Sequence, residues 1–325
     1  MKAFTVQTYR AQDAAIWNEM VRQAKNGLFL FLREFMDYHQ DCFDDHSLMF
    51  YRENKLIAVL PANRKDDELV SHGGLTYGGL IYSNSIKLKT LIRIFEALFS
   101  HMNEKGFQSL VYKPVPDFYC TTHSQEVSFL LPHLKAEIIA SQASAVLDIQ
   151  QPAAYQTNRR EGVRKARRMG LQLREEDDFE SFWNAILIPV LQERHGTAPT
   201  HTLEEIERLN EVMTEQIRQF NVYQNEKIIA GATVFESTQV AHVQYIAAHD
   251  GKQESGALDF LFDYLIHMRY ADLRYIDFGT SSASPTGAVN EGLLYWKESF
   301  GARVWPQLTY RIQASAAQGL KELLQ

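Results

Sequence analysis

An internal repeat restricts how this chain can fold more than any other feature of its sequence. Residues 51–58 read Tyr-Arg-Glu-Asn-Lys-Leu-Ile-Ala, and residues 223–230 read Tyr-Gln-Asn-Glu-Lys-Ile-Ile-Ala. Each segment has the pattern of a β-hairpin, because a polar turn separates the end of one strand from the apolar start of the next. A supersecondary unit that recurs in both halves of a 325-residue chain predicts two lobes of the same design.

The residues after each hairpin strengthen this interpretation. Both halves continue with a strand, a helix and a second strand, as expected if a whole lobe were duplicated. We predict these elements at 74–80, 86–105 and 109–112 in the first half, and at 240–246, 257–270 and 274–278 in the second. Many unrelated folds alternate helices and strands, so the prediction of a duplicated lobe depends mainly on the matching hairpins. The predicted fold class is α/β (α+β), with two tandem lobes that each consist of a mixed β-sheet flanked by helices.

A break in the pattern marks the boundary between the lobes. A strand at 145–149 is followed by Gln150-Gln151-Pro152, in which the proline ends the extended segment. A helix then begins near Asn158, a suitable N-cap residue. The predicted domains are therefore residues 1–150 and residues 151–325.

Net charge and composition narrow the classes of function. The formal net charge is −7, so the protein as a whole does not attract nucleic acid, and a phosphate-bearing ligand would need a local basic patch. Two cysteines fit a reducing compartment better than a disulfide framework. The sequence has no apolar run that resembles a signal peptide or a membrane span. We therefore expect a cytoplasmic protein without a membrane span and without DNA as a partner.

One strand-to-helix connection in the second half has the pattern of an anion site. The predicted strand 240–246 leads through residues 249–256, which include two glycines, into the helix predicted at 257–270. The first N–H groups of such a helix point at a bound anion, and the helix dipole adds partial positive charge. An ordinary loop in which Ser255 caps the helix explains the pattern equally well.

A basic helix at 158–170 is a second candidate site. Its arginines have spacings that place them on one helical face, and they are Arg160, Arg164, Arg167 and Arg168. In an acidic protein this stripe suggests a ligand that carries phosphate groups. The alternative is a solvated surface helix whose arginines pair with the acidic residues at 175–177.

The C-terminal part of the chain offers a third group of candidates. Asp277 ends a predicted strand, where ligand sites gather in α/β folds. Asn290 and Gly301 have the residue types of an N-cap and a helix stop. The helix between them places Lys297 within an apolar stripe. An unpaired buried ammonium is costly, so Lys297 either extends to water or turns inward. Inward, it would meet a carboxylate or the backbone carbonyls at the end of the strand 275–279, and we expect Asp277 to be the partner.

Histidines give a fourth candidate and one negative expectation. His195 and His201 lie on one loop and could transfer protons, although exposed loop histidines without a function explain them equally well. His39, Cys42 and His46 have the spacing of metal ligands, but no fourth ligand is evident, so we predict no metal site. The sequence lacks a Gly-x-Ser-x-Gly motif, which argues against a serine hydrolase.

Taken together, several segments resemble FemABX-like proteins of the GNAT superfamily. The helix 158–170 resembles the R-x-x-x-R-K-A-x-x-x-G opening of the second lobe in that group. Segments similar to its later blocks lie at 256–261, 275–279, 290–293 and 297–302. The resemblance is clearest over residues 155–312 and weaker at 71–79. It implies a GNAT fold in duplicate, in agreement with the internal repeat.

The connection before the helix at 257–270 is also similar to the Gln/Arg-x-x-Gly-x-Gly/Ala loop of GNAT enzymes. That loop binds the pyrophosphate of coenzyme A. Gln253 and Gly256 match it, whereas Leu258 stands where the motif has Gly or Ala. The resemblance thus implies a donor-binding site formed by Gln253, Ser255, Gly256 and Ala257.

The family resemblance implies transfer of an acyl or aminoacyl group to an amine. In FemABX proteins proper the donor is aminoacyl-tRNA and the acceptor a peptidoglycan precursor, whereas other relatives transfer from acyl-coenzyme A to amino sugars or amino acids. The acidity of this chain and the lack of a coiled-coil insertion favour a coenzyme A thioester over tRNA. A tRNA-dependent ligase for a cell-wall or surface-glycan precursor and a non-catalytic ligand-binding protein remain alternatives.

The roles expected of individual residues follow from that chemistry. An attacking amine must lose a proton, and the developing oxyanion needs a hydrogen-bond donor. The predicted catalytic residues are Tyr245, Asp277 and His195. The predicted substrate-binding residues are Arg160, Arg164, Asn290 and Lys297.

Overall fold

The chain divides into two compact units. The structure is a computed structural model that describes residues 4–71, 73–153, 155–249, 255–282 and 288–324. One unit comprises Met1–Ser141 and Gln307–Gln325, and the other comprises Gln142–Pro306. Residues 307–325 thus belong with the first unit, whereas the sequence placed them in the second lobe. The physical reason is burial, because Ile312 and Leu320 lie fully buried in the hydrophobic core of the first unit.

The first unit combines antiparallel and parallel strand pairs with helices packed against them. Four antiparallel strands lie in the order β1-β3-β4-β7. The C-terminal part of β15 pairs with β8, which runs parallel to β6, and β5 and β2 follow. The strands are β1 (Phe4–Thr8), β2 (Asp44–Asp45), β3 (Leu48–Arg52), β4 (Lys55–Leu60), β5 (Asn63–Lys65), β6 (Glu68–Val70), β7 (Ile81–Tyr82), β8 (Ser109–Tyr112) and β15 (Arg303–Gln313). The helices are α1 (Ala14–Gln23), α2 (Arg33–Met36), α3 (Leu88–Lys105), α4 (Glu126–His133) and α11 (Gln318–Lys321).

The second unit is built around a sheet in the order β10-β11-β12-β13-β14-β9. The pair β13–β14 is parallel and the other pairs are antiparallel. The strands are β9 (Glu137–Asp148), β10 (Gln172–Glu175), β11 (Ile217–Gln224), β12 (Lys227–Glu236), β13 (Val240–Ala248) and β14 (Tyr275–Thr280). The helices are α5 (Thr157–Arg168), α6 (Phe179–Phe182), α7 (Ile188–His195), α8 (Leu203–Val212), α9 (Ala257–Tyr264) and α10 (Glu291–Glu298). Two units of mixed strands flanked by helices confirm the predicted fold class.

The two hairpins that carry the internal repeat are equivalent in detail. In β3–β4 the turn residues Glu53 and Asn54 have φ of 52° and 65°, and in β11–β12 Asn225 and Glu226 have φ of 50° and 59°. Two consecutive residues with positive φ form the turn whose twist suits a tight hairpin. The register also shifts at the same place, just before Tyr51 in one hairpin and just before Tyr223 in the other. The two hairpins therefore share both their turn and the position of a β-bulge, which confirms the predicted duplication.

Two local predictions are wrong. Residues 74–80 do not form a strand, because Gly74 and Gly79 have φ of 73° and 80° and break the extended backbone, so the strand begins at Ile81. Asn158 does not cap the basic helix. That helix begins one residue earlier, and its N-cap is Gln156, whose side chain makes no capping bond.

Candidate functional site

The parallel strands β13 and β14 separate in the middle of the second unit. They pair from Val240 with Tyr275 to His242 with Asp277. Beyond this point β13 continues to Ala248, while β14 keeps only its pairing with β9 on the opposite edge, as far as Thr280. Ligand sites in α/β sheets lie at the carboxyl ends of parallel strands where neighbours diverge. The last registered pair, His242 and Asp277, therefore marks the candidate site.

Asp277 organises the side chains at this separation. It is completely buried, and its Oδ1 accepts hydrogen bonds from Ser144 Oγ at 3.0 Å and from the Gly279 N–H at 2.8 Å. Its Oδ2 lies 2.9 Å from Nδ1 of His242. A buried carboxylate beside Nδ1 selects the tautomer in which Nδ1 carries the proton. Nε2 of His242 is then left with a lone pair that can accept a proton.

Sequence reasoning identified Asp277 but missed His242. The side chain of His242 is 13% exposed, so the ring reaches from the buried carboxylate to the surface of the unit. The signal in the sequence was a histidine within an apolar strand, followed by a helix and a second strand with an aspartate at its end. Adjacent parallel strands bring such residues side by side.

Lys297 of α10 turns inward, as one of the two alternatives predicted. The residue is 3% exposed, and Nζ donates to the carbonyls of Gly279 at 2.9 Å and Thr280 at 2.7 Å. Burial lowers the pKa of Lys297 to about 8, while the charge of Asp277 acts in the opposite direction. The acceptors are thus the backbone carbonyls rather than Asp277. Lys297 fixes the chain where it leaves β14.

Asn290 caps the helix that carries Lys297. Its Oδ1 accepts a hydrogen bond from the Leu293 N–H at 3.0 Å, as the sequence predicted. The cap satisfies an amide that would otherwise lack a partner in the first turn of α10. A role of Asn290 in substrate binding stays a prediction.

Tyr245 lies three residues beyond His242 on β13. Its hydroxyl is 2.6 Å from His201 Nδ1 and accepts the His201 N–H at 3.0 Å. Burial raises its pKa, and Trp183 packs against the ring at 5.1 Å between centroids. The hydroxyl thus holds the residues that precede α8. The predicted catalytic role of Tyr245 is not tested by this arrangement.

His195 is the last residue of α7, and its side chain lies outside what the structure describes. Its predicted role in proton transfer therefore stays a prediction. The structure does bring the second histidine of that loop, His201, into contact with a predicted catalytic residue.

The predicted donor-binding loop precedes α9. Gln253 lies outside the described residues. Gly256 has φ of 71°, and a Cβ added to it would lie 2.2 Å from the Gly162 carbonyl oxygen of α5. Ser255 Oγ accepts a hydrogen bond from the Ala257 N–H at 3.3 Å. The start of α9 is thus packed against α5 on its Gly256 side, and a pyrophosphate would have to approach it from another side.

The arginines of α5 separate into two groups. Arg159 and Arg167 bond to α9, through Asp259 at 2.5 Å and Asp263 at 3.2 Å respectively. Arg160, Arg164 and Arg168 are exposed and form no ion pair within the part of the chain that the structure describes. Three of the four arginines of the predicted stripe therefore form an unpaired exposed face, whereas Arg167 pairs with Asp263. None of the four pairs with the acidic residues at 175–177 that the alternative required, within the described residues.

The described residues contain neither a metal-binding cluster nor a helix that could span a membrane. Among residues 4–71, 73–153, 155–249, 255–282 and 288–324, no three His, Cys, Asp or Glu side chains come together in a way that would hold a metal ion. Within the same residues, none of the helices combines the length and the apolar character that crossing a bilayer requires.

Comparison with known proteins assigns the fold. No protein-family model and no curated protein matches the chain. Solved structures do match it over nearly its whole length, and the chain has a FemABX/GNAT-like fold. FemX is similar with a TM-score of 0.66 and 12% identity, over 98% of this chain and 99% of that one.

Two further structures have the same fold. The C-terminal domain of a putative lysylphosphatidylglycerol synthetase from Agrobacterium fabrum matches with a TM-score of 0.58 and 13% identity, over 97% of this chain and 95% of its own. A tandem GNAT protein from the clavulanic acid biosynthesis pathway matches with a TM-score of 0.52 and 9% identity, over 97% of this chain and 99% of its own. At these identities the similarity establishes the fold and not the reaction.

Proposed function

We propose that this protein is an N-acyltransferase that moves an acyl group from a coenzyme A thioester to an amine of a small molecule or cell-envelope precursor. The observation that carries the proposal is the Asp277–His242 pair at the point where β13 and β14 separate. In a FemABX/GNAT-like fold this pair supplies a histidine whose free nitrogen can accept a proton from an amine. We expect the reaction to take place in the cytoplasm.

The proposed reaction is a direct attack of the amine on the thioester carbonyl. The amine nitrogen forms a bond to the carbonyl carbon, and Nε2 of His242 accepts a proton from that nitrogen. The tetrahedral intermediate then collapses, the carbon–sulfur bond breaks, and the thiolate leaves with the electron pair of that bond. The proton passes from His242 to the thiolate or to water. Asp277 holds the ring and stabilises the imidazolium that forms between these steps.

Backbone groups at the separation support donor binding. Beyond His242, β13 continues to Ala248 without a registered partner on β14, so its N–H groups on that edge can bond to the donor or to the developing oxyanion. Predicted donor contacts at Gln253, Ser255, Gly256 and Ala257 follow β13 directly in the chain. Lys297 would contribute by holding the Gly279 and Thr280 carbonyls, and with them the wall of the acceptor site.

The test measures donor binding and turnover separately. Acetyl-coenzyme A should raise the melting temperature, because a ligand at a hundred times its dissociation constant adds about 2.7 kcal/mol of stability. Release of free thiol is then followed with a panel of amino sugars and amino acids. Thiol release that depends on both donor and amine supports the proposal. The absence of a thermal shift and of thiol release with every acyl-coenzyme A contradicts it, and binding without turnover would indicate a ligand-binding protein.

A second candidate is transfer from aminoacyl-tRNA, and the exposed face of Arg160, Arg164 and Arg168 favours it. Replacing Arg160 and Arg164 by alanine should weaken tRNA binding and reduce its dependence on salt by about two counterions. Replacing the exposed Lys87 and Lys89 of the first unit is the control, since it removes the same charge. Equal affinities of the two double variants would assign the arginines to solubility alone.

A further inference from the structure

The first unit contains a cavity of about 270 Å³ that plays no part in the proposed reaction. This volume lies just below the range of roughly 300–1,000 Å³ that is common for ligand pockets, so it suits a small metabolite. Its apolar lining includes Phe43 and Leu75. Its polar lining residues are Tyr9, Arg10, Arg33, Asp37, Asp45 and Asn63.

An ion cluster of one buried arginine and two solvent-exposed aspartates forms the polar wall of this cavity. Arg33 is 6% exposed, and its Nη2 donates to Asp37 at 2.5 Å and to Asp45 at 2.6 Å. The Tyr9 ring stacks on the guanidinium, with 3.9 Å between Cζ and the ring centroid. Nε of Arg33 is buried and has no hydrogen-bond partner within the described residues.

Such a cluster is poorly explained by stability. Burying the Arg33 guanidinium costs as much as or more than its attraction to two solvent-exposed carboxylates returns, so an apolar side chain at this position would serve the core equally well. An unsatisfied buried donor adds on the order of 1–3 kcal/mol to that cost. Charged groups retained at the wall of a cavity therefore indicate a binding role.

The charges of the cluster define the ligand group that it prefers. Counting formal charges, Arg33 contributes +1 and the two aspartates −2, so the cluster has a net charge of −1. Asp45 Oδ1 is occupied by the Ser47 N–H at 2.8 Å. Asp37 Oδ2 accepts no hydrogen bond within the described residues, and the Asp37 side chain is 40% exposed. A donor with a positive charge fits this oxygen best.

We propose that the cavity binds a small polar molecule through its primary ammonium group, with Asp37 as the principal acceptor. Arg10, which also lines the cavity, is exposed and forms no ion pair within the described residues. It brings the net charge of the lining to zero and can bind a carboxylate of the same ligand. An amino sugar and an amino acid both supply the ammonium group, and Arg10 distinguishes them.

The experiment measures binding to the full-length protein without any acyl donor, so a failure of the proposed acyl transfer leaves it intact. The probes are D-glucosamine and L-serine, with D-glucose as the probe that lacks the ammonium group. Titration calorimetry should show that at least one amine binds 10-fold or more tightly than glucose. Asp37→Asn should weaken that amine by roughly 10- to 100-fold, as expected for a charge-assisted hydrogen bond. Asp41→Asn, an exposed aspartate of the same segment outside the cavity, should leave binding unchanged.

Further variants identify the ligand and guard against misfolding. Arg10→Gln should weaken an amino acid and leave an amino sugar unaffected. Ala11→Trp places a large side chain at an exposed position of the lining and should reduce binding without touching the ion cluster. Melting curves establish that each variant is folded. The proposal is overturned if neither amine binds more tightly than glucose, or if Asp37→Asn and Ala11→Trp bind as the Asp41→Asn control does.

Discussion

At the scale of single residues, Asp277 links the sheet to a group that can react. Its hydrogen-bond donors include the Ser144 hydroxyl, the Gly279 amide and the His242 ring. A hydroxyl and an amide do not accept a proton near neutral pH, whereas the second nitrogen of an imidazole does so readily. His242 is also the donor that extends to the surface. It is therefore the group through which the buried carboxylate can act on a substrate.

Replacing His242 by glutamine tests this role. Glutamine is similar in size and can still donate a hydrogen bond to Asp277, but it cannot accept the proton of the amine. We expect kcat/KM for acyl transfer to fall by about 10²- to 10⁴-fold, the usual contribution of general-base catalysis. The melting temperature should change little. His267→Gln is the control, because that side chain is 55% exposed and lies in the same unit. Equal activities of the two variants would remove His242 from the mechanism.

Lys297 makes a prediction about stability and pH. Its pKa in the folded protein is about 8, against a reference value of 10.5. Between these values the unfolded chain binds one proton more than the folded protein, so the free energy of unfolding rises with pH. Lys297→Met lacks this dependence. The stability of the wild type relative to the variant should therefore increase from pH 7 to pH 10, by at most on the order of 3 kcal/mol. Urea denaturation at each pH measures it.

Lys113 provides a control for the role of Lys297 in activity. Burial also lowers the pKa of Lys113 to about 8, but this residue belongs to the first unit. Lys113→Met should reproduce the pH-dependent change in stability and leave acyl transfer unchanged. Lys297→Met should lower acyl transfer at least 10-fold, because the carbonyls of Gly279 and Thr280 lose their donor. Normal activity of Lys297→Met would reduce the lysine to a structural role.

Sequence reasoning reached part of the candidate site. Asp277, Lys297 and Asn290 were found because each breaks or completes a local pattern that can be read along one element. The partnership with His242 depends on the register of two strands joined by a loop and a helix, and local patterns do not contain this register. The contact between Tyr245 and His201 could not be predicted either, because it joins two segments that are distant in the sequence.

At the scale of elements, close packing of α5 against α9 shapes the second unit. Both helices use glycine where they meet, so that backbone approaches backbone. A Cβ added to Gly162 would lie within 1.9 Å of Asp259 Oδ2, and one added to Gly256 within 2.2 Å of the Gly162 carbonyl oxygen. Arg159 and Asp259 join the same surfaces by an ion pair. This packing holds the helix that follows β13 in a fixed position.

Gly256→Ala tests the packing of α9 on α5. Alanine at this position meets the left-handed backbone, which costs about 1–2 kcal/mol, and also a backbone carbonyl that cannot move aside. Gly170→Ala is the matched control, since its φ of 68° is similar and a Cβ there has no neighbour within 4 Å. We expect Gly170→Ala to cost about 1–2 kcal/mol and Gly256→Ala at least about 2 kcal/mol more. Similar losses in chemical denaturation would show that the helices adjust.

Elements were predictable where backbone and side-chain signals agree. In both hairpins a polar pair falls between apolar strands, and the turn and bulge follow. In residues 74–80 the apolar and aromatic side chains favour a strand. Gly74 and Gly79 adopt positive φ, however, and this conformation interrupts the extended backbone that a strand requires. The Tyr112 hydroxyl accepts the Leu80 N–H at 2.9 Å, which replaces a strand hydrogen bond. That tertiary contact could not be inferred from the sequence of the segment.

At the scale of the whole molecule, the chain begins and ends in the same unit. Along the chain, residues 142–306 form the second unit, and residues 307–325 then return to the first. The C-terminal part of β15 pairs with β8 from Tyr310 with Tyr112 to Gln313 with Ser109. A linear division of the sequence does not reveal this path, because hydrophobic periodicity reports that a segment is buried but not which core it joins.

A chain shortened to residues 1–306 tests how far the first unit depends on its last segment. The truncation removes the antiparallel partner of β8, although β8 keeps its parallel partner β6. It also removes the ion pair of Arg311 with Glu68 at 3.0 Å and the buried side chains of Ile312 and Leu320. Loss of one such buried residue typically costs about 2–5 kcal/mol, and whole domains have only about 5–15 kcal/mol in reserve. We therefore expect the first unit to unfold. Segment-resolved hydrogen exchange should show fast exchange in α3 and β8, while β11–β13 of the second unit stay protected.

Ile312→Val, which removes one methylene and costs about 0.5–1.5 kcal/mol, is the graded control and should leave both units folded. If α3 and β8 exchange as slowly after truncation as before it, the first unit is complete without residues 307–325. A single boundary near residue 150 would then separate the two folding units.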